Sequence, residues 1–195
     1  MANKDAAFGF RPIGKVGQNK DNQGLSEYNI AANSSAIYQN DTVQFLATGY
    51  VGVADTTTAV LLGSLNGVFY TDTADQKPRW ANHLAASNAA TDIVGFVSDD
   101  PYERFEVQAD GTLAIADIGL NTDIVYGAGA SPNFVSKVEI DSNTANVTTN
   151  SKQFRILGVA KDIENSELAN VTTYAANVNV VGIINEHFLK STTGI

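Results

Sequence analysis

The chain has 195 residues, 44% of them hydrophobic, with 12 Lys and Arg against 21 Asp and Glu and a net charge of −9 at pH 7. That length suits one domain burying about 70% of its unfolded surface, and the absence of Cys excludes a disulfide framework, a thiolate metal site and a Cys nucleophile. An acidic body repels phosphates, so no nucleic-acid partner is expected. With no apolar run near the roughly 20 residues of a bilayer span and no apolar signal region at the start, a soluble protein with no membrane partner is expected.

Charge is uneven along the chain. Residues 1–20 carry Lys4, Arg11, Lys15 and Lys20 against Asp5 alone, a net of +3 that leaves −12 for the remainder. Asn occurs 19 times and Thr 17 times. Asn and Gly suit tight turns, and Thr, Val and Ile suit a pleated, half-buried surface.

Residues 1–27 read as an extended arm: Gly9, Gly14, Gly17 and Gly24 punctuate a polar stretch whose one apolar knot is Phe8, Phe10, Pro12 and Ile13. Tyr28 and Ile30 open the first strand. Short strands follow at 36–38, 42–45 and 50–53. Leu61 to Leu65 and Val68 to Tyr70 flank Asn66-Gly67, a dipeptide that predicts a hairpin between two apolar runs. Residues 71–92 break the pattern and read as an insert, a short helix or an ordered loop. Strands resume at 93–97 and at 104–108, where Arg104-Phe105-Glu106-Val107-Gln108 alternates cleanly. Asp110-Gly111 turns the chain toward 112–115. Further strands are predicted at 123–126, 134–140, 154–159 and 177–184, with a polar insert near 141–153.

A local device recurs as Leu61-Leu62-Gly63, Ile93-Val94-Gly95, Ile156-Leu157-Gly158 and Val181-Gly182-Ile183. Two copies run on to an acid, at Asp99 and Asp162. Gly within a strand marks a bend or a close approach of another chain. The whole pattern predicts an all-β fold, a small β-barrel or β-sandwich with little helix. An extended arm, 1–27, precedes a single domain, 28–195, with inserts near 71–92 and 141–153.

Chemistry-bearing motifs are sparse. The two histidines, His83 and His187, are read as packing or surface residues. Asp99-Asp100-Pro101-Tyr102-Glu103 lacks the spacing of a calcium loop and reads as a solvated turn. No phosphate-binding glycine motif is present. The expectation is therefore a non-enzymatic protein with no cofactor and no metal. Trp80, Tyr70 and Tyr102 are candidates for a sugar-binding surface, although scattered aromatics more often serve the core.

The opening Ala6-Ala7-Phe8-Gly9-Phe10-Arg11-Pro12-Ile13-Gly14 resembles the start of structural proteins of marine tailed phages. The body is similar to phage head-decoration proteins in Asn40-Asp41-Thr42-Val43, in Ile93-Val94-Gly95-Phe96-Val97, in Asp110-Gly111-Thr112-Leu113 and in Asp123-Ile124-Val125-Tyr126. The chain departs from that pattern by its greater length and its two inserts. The resemblance implies a decoration or cement protein that is made in the host cytoplasm and sits on the capsid exterior of the virion. It would clamp subunits of the major capsid protein and associate with copies of itself, as a homotrimer or another small homo-oligomer. The predicted partner-binding residues are those of the arm: Phe8, Phe10, Arg11, Pro12 and Ile13. Alternatives are a tail, neck or major head component, or a carbohydrate-binding or adhesin module. The latter needs a solvent-facing aromatic platform.

Overall fold

The computed structural model describes residues 3–17, 24–145, 148, 152–161 and 168–191. Its strands are β1 (Arg11–Lys15), β2 (Ser26–Asn29), β3 (Thr42–Phe45), β4 (Val51–Val53), β5 (Gly63–Thr71), β6 (Pro78–Ala81) and β7 (Val94–Ser98). They continue with β8 (Glu103–Gln108), β9 (Asn121–Thr122), β10 (Ile124–Val125), β11 (Glu139–Ile140), β12 (Phe154–Val159) and β13 (Asn179–Ile184). Among the described residues, helix is confined to two single 3-10 turns, Ile115–Asp117 and Phe188–Lys190. The protein is all-β, as its alternation and turn chemistry predict.

Two sheets organise these strands. One runs β1-β8-β13-β12-β9 and the other β2-β7-β5-β3-β4, with β6 added alongside β5; β10 and β11 form a separate ribbon. All strand pairs are antiparallel. A single bridge from Ile30 to Val51 draws the margins of the second sheet together. Among the described residues no closed barrel forms, and the packing of the sheets is consistent with a β-sandwich.

Alternation decides which face is buried. In β8, Phe105 and Val107 point inward, and in β13 Val180 and Ile184 do the same. They join Phe10, Leu61, Phe154 and Ile156 in one core, while Ile30, Val43, Leu62, Leu65, Val68 and Val97 build a second. Each such side chain contributes about 1.5–3 kcal/mol on burial. The recurrent strand glycines mark close approach. A Cβ on Gly63 would lie 2.1 Å from the Ser98 carbonyl oxygen, and one on Gly182 the same distance from that of Arg155. Gly158 has open space instead and sits at a register shift of β12. Asp162, which ends one copy of the device, lies outside the described residues.

Several expectations are corrected. Asn66-Gly67 is not a hairpin turn but a bulge inside the unbroken β5, where the pairing with β7 slips between Leu65 and Gly67. β7 runs along one edge of β5, while β3 pairs its start and β6 its end, so the dipeptide falls where one partner gives way to the next. Residues 71–92 hold β6 rather than a helix or a plain loop, and Leu84 bridges to Ile37. The predicted strand at 134–140 contracts to β11, and that at 36–38 to the Ile37 bridge. Part of the expected 141–153 insert lies outside the described residues.

The arm is also corrected. Residues 3–17 lie along their own subunit, with Ala6 N–H donating to Gln108 Oε1 and Gln108 Nε2 donating to the Lys4 carbonyl. Phe10 is fully buried, its ring 5.7 Å from that of Phe105 and 5.0 Å from that of Phe154. A large aromatic next to an edge strand has more apolar area to hide than water permits, and here its own core accepts it.

Candidate functional site

The predicted arm residues separate by the alternation of β1. Phe10 belongs to the core. Pro12 is half-buried opposite Phe105, on the edge of the sheet, where a missing N–H is tolerated. Phe8 is half-buried, and the Arg11 guanidinium lies 4.7 Å above its ring. Arg11 itself is exposed and pairs with Glu106 at 2.7 Å. Ile13 occupies the β1 bulge and is 37% exposed. Two of the five predicted residues, Arg11 and Ile13, therefore stand on open surface.

That surface continues across the five-stranded sheet. Residues directly opposite one another in antiparallel strands share a face. The register places Gly14, Arg104, Ile183, Arg155 and Asn121 in one row, and Arg11, Glu106 and Val181 in the next. Because Phe105, Val107, Val180 and Ile184 point into the core, these rows form the outer face. Arg155 is oriented by Asn121 at 2.9 Å and by Asn185 at 2.8 Å. Arg104 has its Nε buried with no hydrogen-bond partner in the described chain. At the end of the same sheet Lys15 pairs with Asp100 at 2.8 Å, and the Lys190 ammonium lies 5.0 Å from the centre of the exposed Tyr102 ring. Burial, with the positive charge of Arg155 nearby, lowers the Lys190 pKa. Arg11, Arg104 and Arg155 thus share the outer face of this sheet, with Lys15 and Lys190 at its end, in a molecule whose net charge is −9. The exposed Ile13, Leu157 and Leu189 add apolar area beside them.

The turn at residues 99–103 is occupied internally. Asp99 accepts from Ser26 Oγ and from the Tyr28 hydroxyl, raising the Tyr28 pKa to about 12 through burial and through that bond, and Asp100 is neutralised by Lys15. His187 is buried, and its Nδ1 accepts the Leu189 N–H at 3.1 Å; burial and then Lys190 lower its pKa to about 4. His83 stacks on Phe134 at 3.9 Å and lies nearly parallel to the Tyr38 ring at 6.3 Å, and burial lowers its pKa. Both histidines are engaged in packing contacts.

The three aromatics flagged in the sequence part ways. Tyr70 packs against the second core, and Tyr102 stands at the cationic corner. Trp80 is 60% exposed on β6, directly opposite Phe69, with its ring centroid 4.4 Å from that of Phe96. Phe69 and Phe96 are not marked by the sequence because they meet Trp80 only once β5 pairs with β6 and with β7. Arg104, Ile183 and Arg155 were missed for a similar reason, since three strands distant in sequence must first be put in register.

No family model matches the chain, and neither a curated protein nor a solved structure matches it.

Proposed function

We propose that this chain is a structural shell protein, a decoration or cement protein on the outside of a tailed-phage capsid. In this reading it docks through the outer face of its five-stranded sheet onto an acidic surface of the major capsid protein. The observation that carries the reading is the concentration of Arg11, Arg104 and Arg155 with Ile13 and Ile183 on one sheet face of an acidic β protein. The resemblance of residues 6–14 to phage structural proteins supports the choice of partner, and Arg11 and Ile13 belong to both arguments. A rigid sheet face needs little ordering on binding, so each copy retains most of its contact energy. Many copies on one lattice reinforce one another through avidity. Self-association into a small homo-oligomer, such as a trimer, fits the same role.

The test is binding of purified protein to particles stripped of it. Replacing Arg104 and Arg155 by Gln removes two charges and keeps amide donors. Occupancy is expected to fall at least about tenfold, which corresponds to about 1.4 kcal/mol. Raised salt should weaken wild-type binding in the same sense. Unchanged occupancy in the double variant, with the isolated protein melting normally, would remove the sheet face from the docking role.

A further inference from the structure

The outer face of the second sheet carries a different chemistry. We infer that it is a binding site for a neutral oligosaccharide, with Trp80 and Phe69 as the stacking surface and Glu27 and Asn29 as the hydroxyl-binding end. This site is separate from the cationic face and does not rest on the shell reading.

Register assembles it. Asn29 stands opposite Val94, Val94 opposite Phe69, and Phe69 opposite Trp80, so these four side chains form one row across β2, β7, β5 and β6. Glu27, Phe96 and Gly67 form the row beside it. Tyr28 and Val68 between these positions, and Val97 just past Phe96, point into the second core, which sets both rows outward. With strands about 4.8 Å apart, the row from Asn29 to Trp80 spans roughly 14 Å.

The rings are exposed yet held in place. Trp80 is 60% exposed and Phe69 38%. The Trp80 and Phe96 rings meet at 42° and make a shallow V rather than a closed stack. The indole lies over Gly67: a Cβ there would meet its ring atoms at 3.6 Å, ordinary contact, and the Ala81 carbonyl oxygen at a tight 3.0 Å. An aromatic cluster so exposed on a rigid sheet carries a solvation cost that a ligand can relieve.

The chemistry selects the ligand. The negative face of an aromatic ring attracts weakly positive C–H groups, which line the faces of a hexose. The hydroxyls at a hexose edge require planar acceptors and donors, which a carboxylate and an amide supply. The only formal charge in the two rows is the Glu27 carboxylate, which disfavours a sulfated or uronic glycan. Charge complementarity therefore points to an uncharged chain of hexoses.

Trp80 is the only Trp in the protein, so its fluorescence reports on this site alone. The experiment titrates the whole protein with cellohexaose, mannohexaose and chitohexaose, using oligogalacturonate as the anionic control. A saturable change in emission is expected with at least one neutral chain and none with the control. Phe69→Ala, which keeps the reporter, should weaken the response at least tenfold, and Glu27→Gln should weaken it less. Calorimetry with Trp80→Ala should show no heat of binding. The inference is overturned if none of the three chains changes the emission up to about 10 mM, where even a millimolar site is filled. It is also overturned if Phe69→Ala binds like wild type. Emission that instead depends on protein concentration, with a dimer in sedimentation that Trp80→Ala abolishes, would make the face a contact between copies and equally sink the inference.

Discussion

Leu61 and Leu62 are neighbours in the chain and both fully buried, yet they face different cores: Leu61 packs with Phe10 and Phe154, and Leu62 with Val43 and Val68. The stretch that leads into β5 therefore lies between the two cores and ties them together. Leu61→Ala and Leu62→Ala should each cost about 2–5 kcal/mol. Each should lower one shared melting transition rather than split it, since the residues are adjacent. Calorimetry that resolves two transitions in either variant would show that the cores unfold independently.

Phe10 and Ile13 make a sharper pair for the N-terminal segment. Phe10→Ala empties a site lined by two aromatic rings and should cost about 3–5 kcal/mol. Ile13→Ala changes an exposed bulge residue and should stay within about 0.5 kcal/mol. Urea denaturation of both variants checks this. Equal, small losses would mean that the segment is only loosely attached to its own subunit.

Alternation made β8 legible, where Phe105 and Val107 are buried and Arg104 and Glu106 are not. It also marked 42–45, which is β3, and 134–140, of which only β11 forms a strand. Residues 10–15 were misjudged because their glycines suggested an arm, while the burial of Phe10 depends on Phe105 and Phe154, about 95 and 144 residues away in sequence. Asn66-Gly67 misled in the opposite direction: a local turn signal lost to pairing on both edges of β5. Of the candidate sites, Arg11, Ile13 and Trp80 could be named from sequence. Arg104, Arg155, Phe69 and Phe96 could not, since only the pairing of separate strands brings each beside the others on its face.

Asp41 supplies a third prediction. It is fully buried, Oδ2 accepts the Tyr38 N–H at 2.8 Å, and Oδ1 has no partner among the described residues. Burial raises its pKa from 3.8 to about 6, against smaller opposing effects of Ser136 and the Tyr38 N–H. The folded protein thus holds this proton more tightly than the unfolded chain does. Stability gains from Asp41 as pH falls from above 6 toward 3.8, and at neutral pH the ionised form costs about 3 kcal/mol. Asp41→Asn keeps an acceptor for Tyr38 without the charge. It should be more stable than wild type by about 1–3 kcal/mol at pH 7.5, with the advantage gone near pH 4. A less stable variant at pH 7.5 would mean that the carboxylate has a favourable partner.

His187 acts in the opposite direction, and the two groups should mask each other. Its folded pKa is about 4 against an ordinary 6.5, because burial and Lys190 oppose the imidazolium more than Asp99 and Asp100 favour it. The unfolded chain therefore takes up the proton first. The stability of the neutral, buried ring is complete above pH 6.5, is lost as pH falls, and levels off below about 4, a total of about 3 kcal/mol. Over nearly the same interval Asp41 gains about as much, so wild type hides both contributions. His187→Asn retains an acceptor for the Leu189 N–H and removes the titration. Its stability relative to wild type should rise by about 3 kcal/mol between pH 7 and pH 4. Asp41→Asn should fall relative to wild type by a similar amount across that range, and the double variant should run parallel to wild type. Denaturant titrations at four or five pH values give the difference curves, in which other carboxylates cancel. A flat curve for His187→Asn would show that the ring is already charged in the folded protein or never buried in the first place.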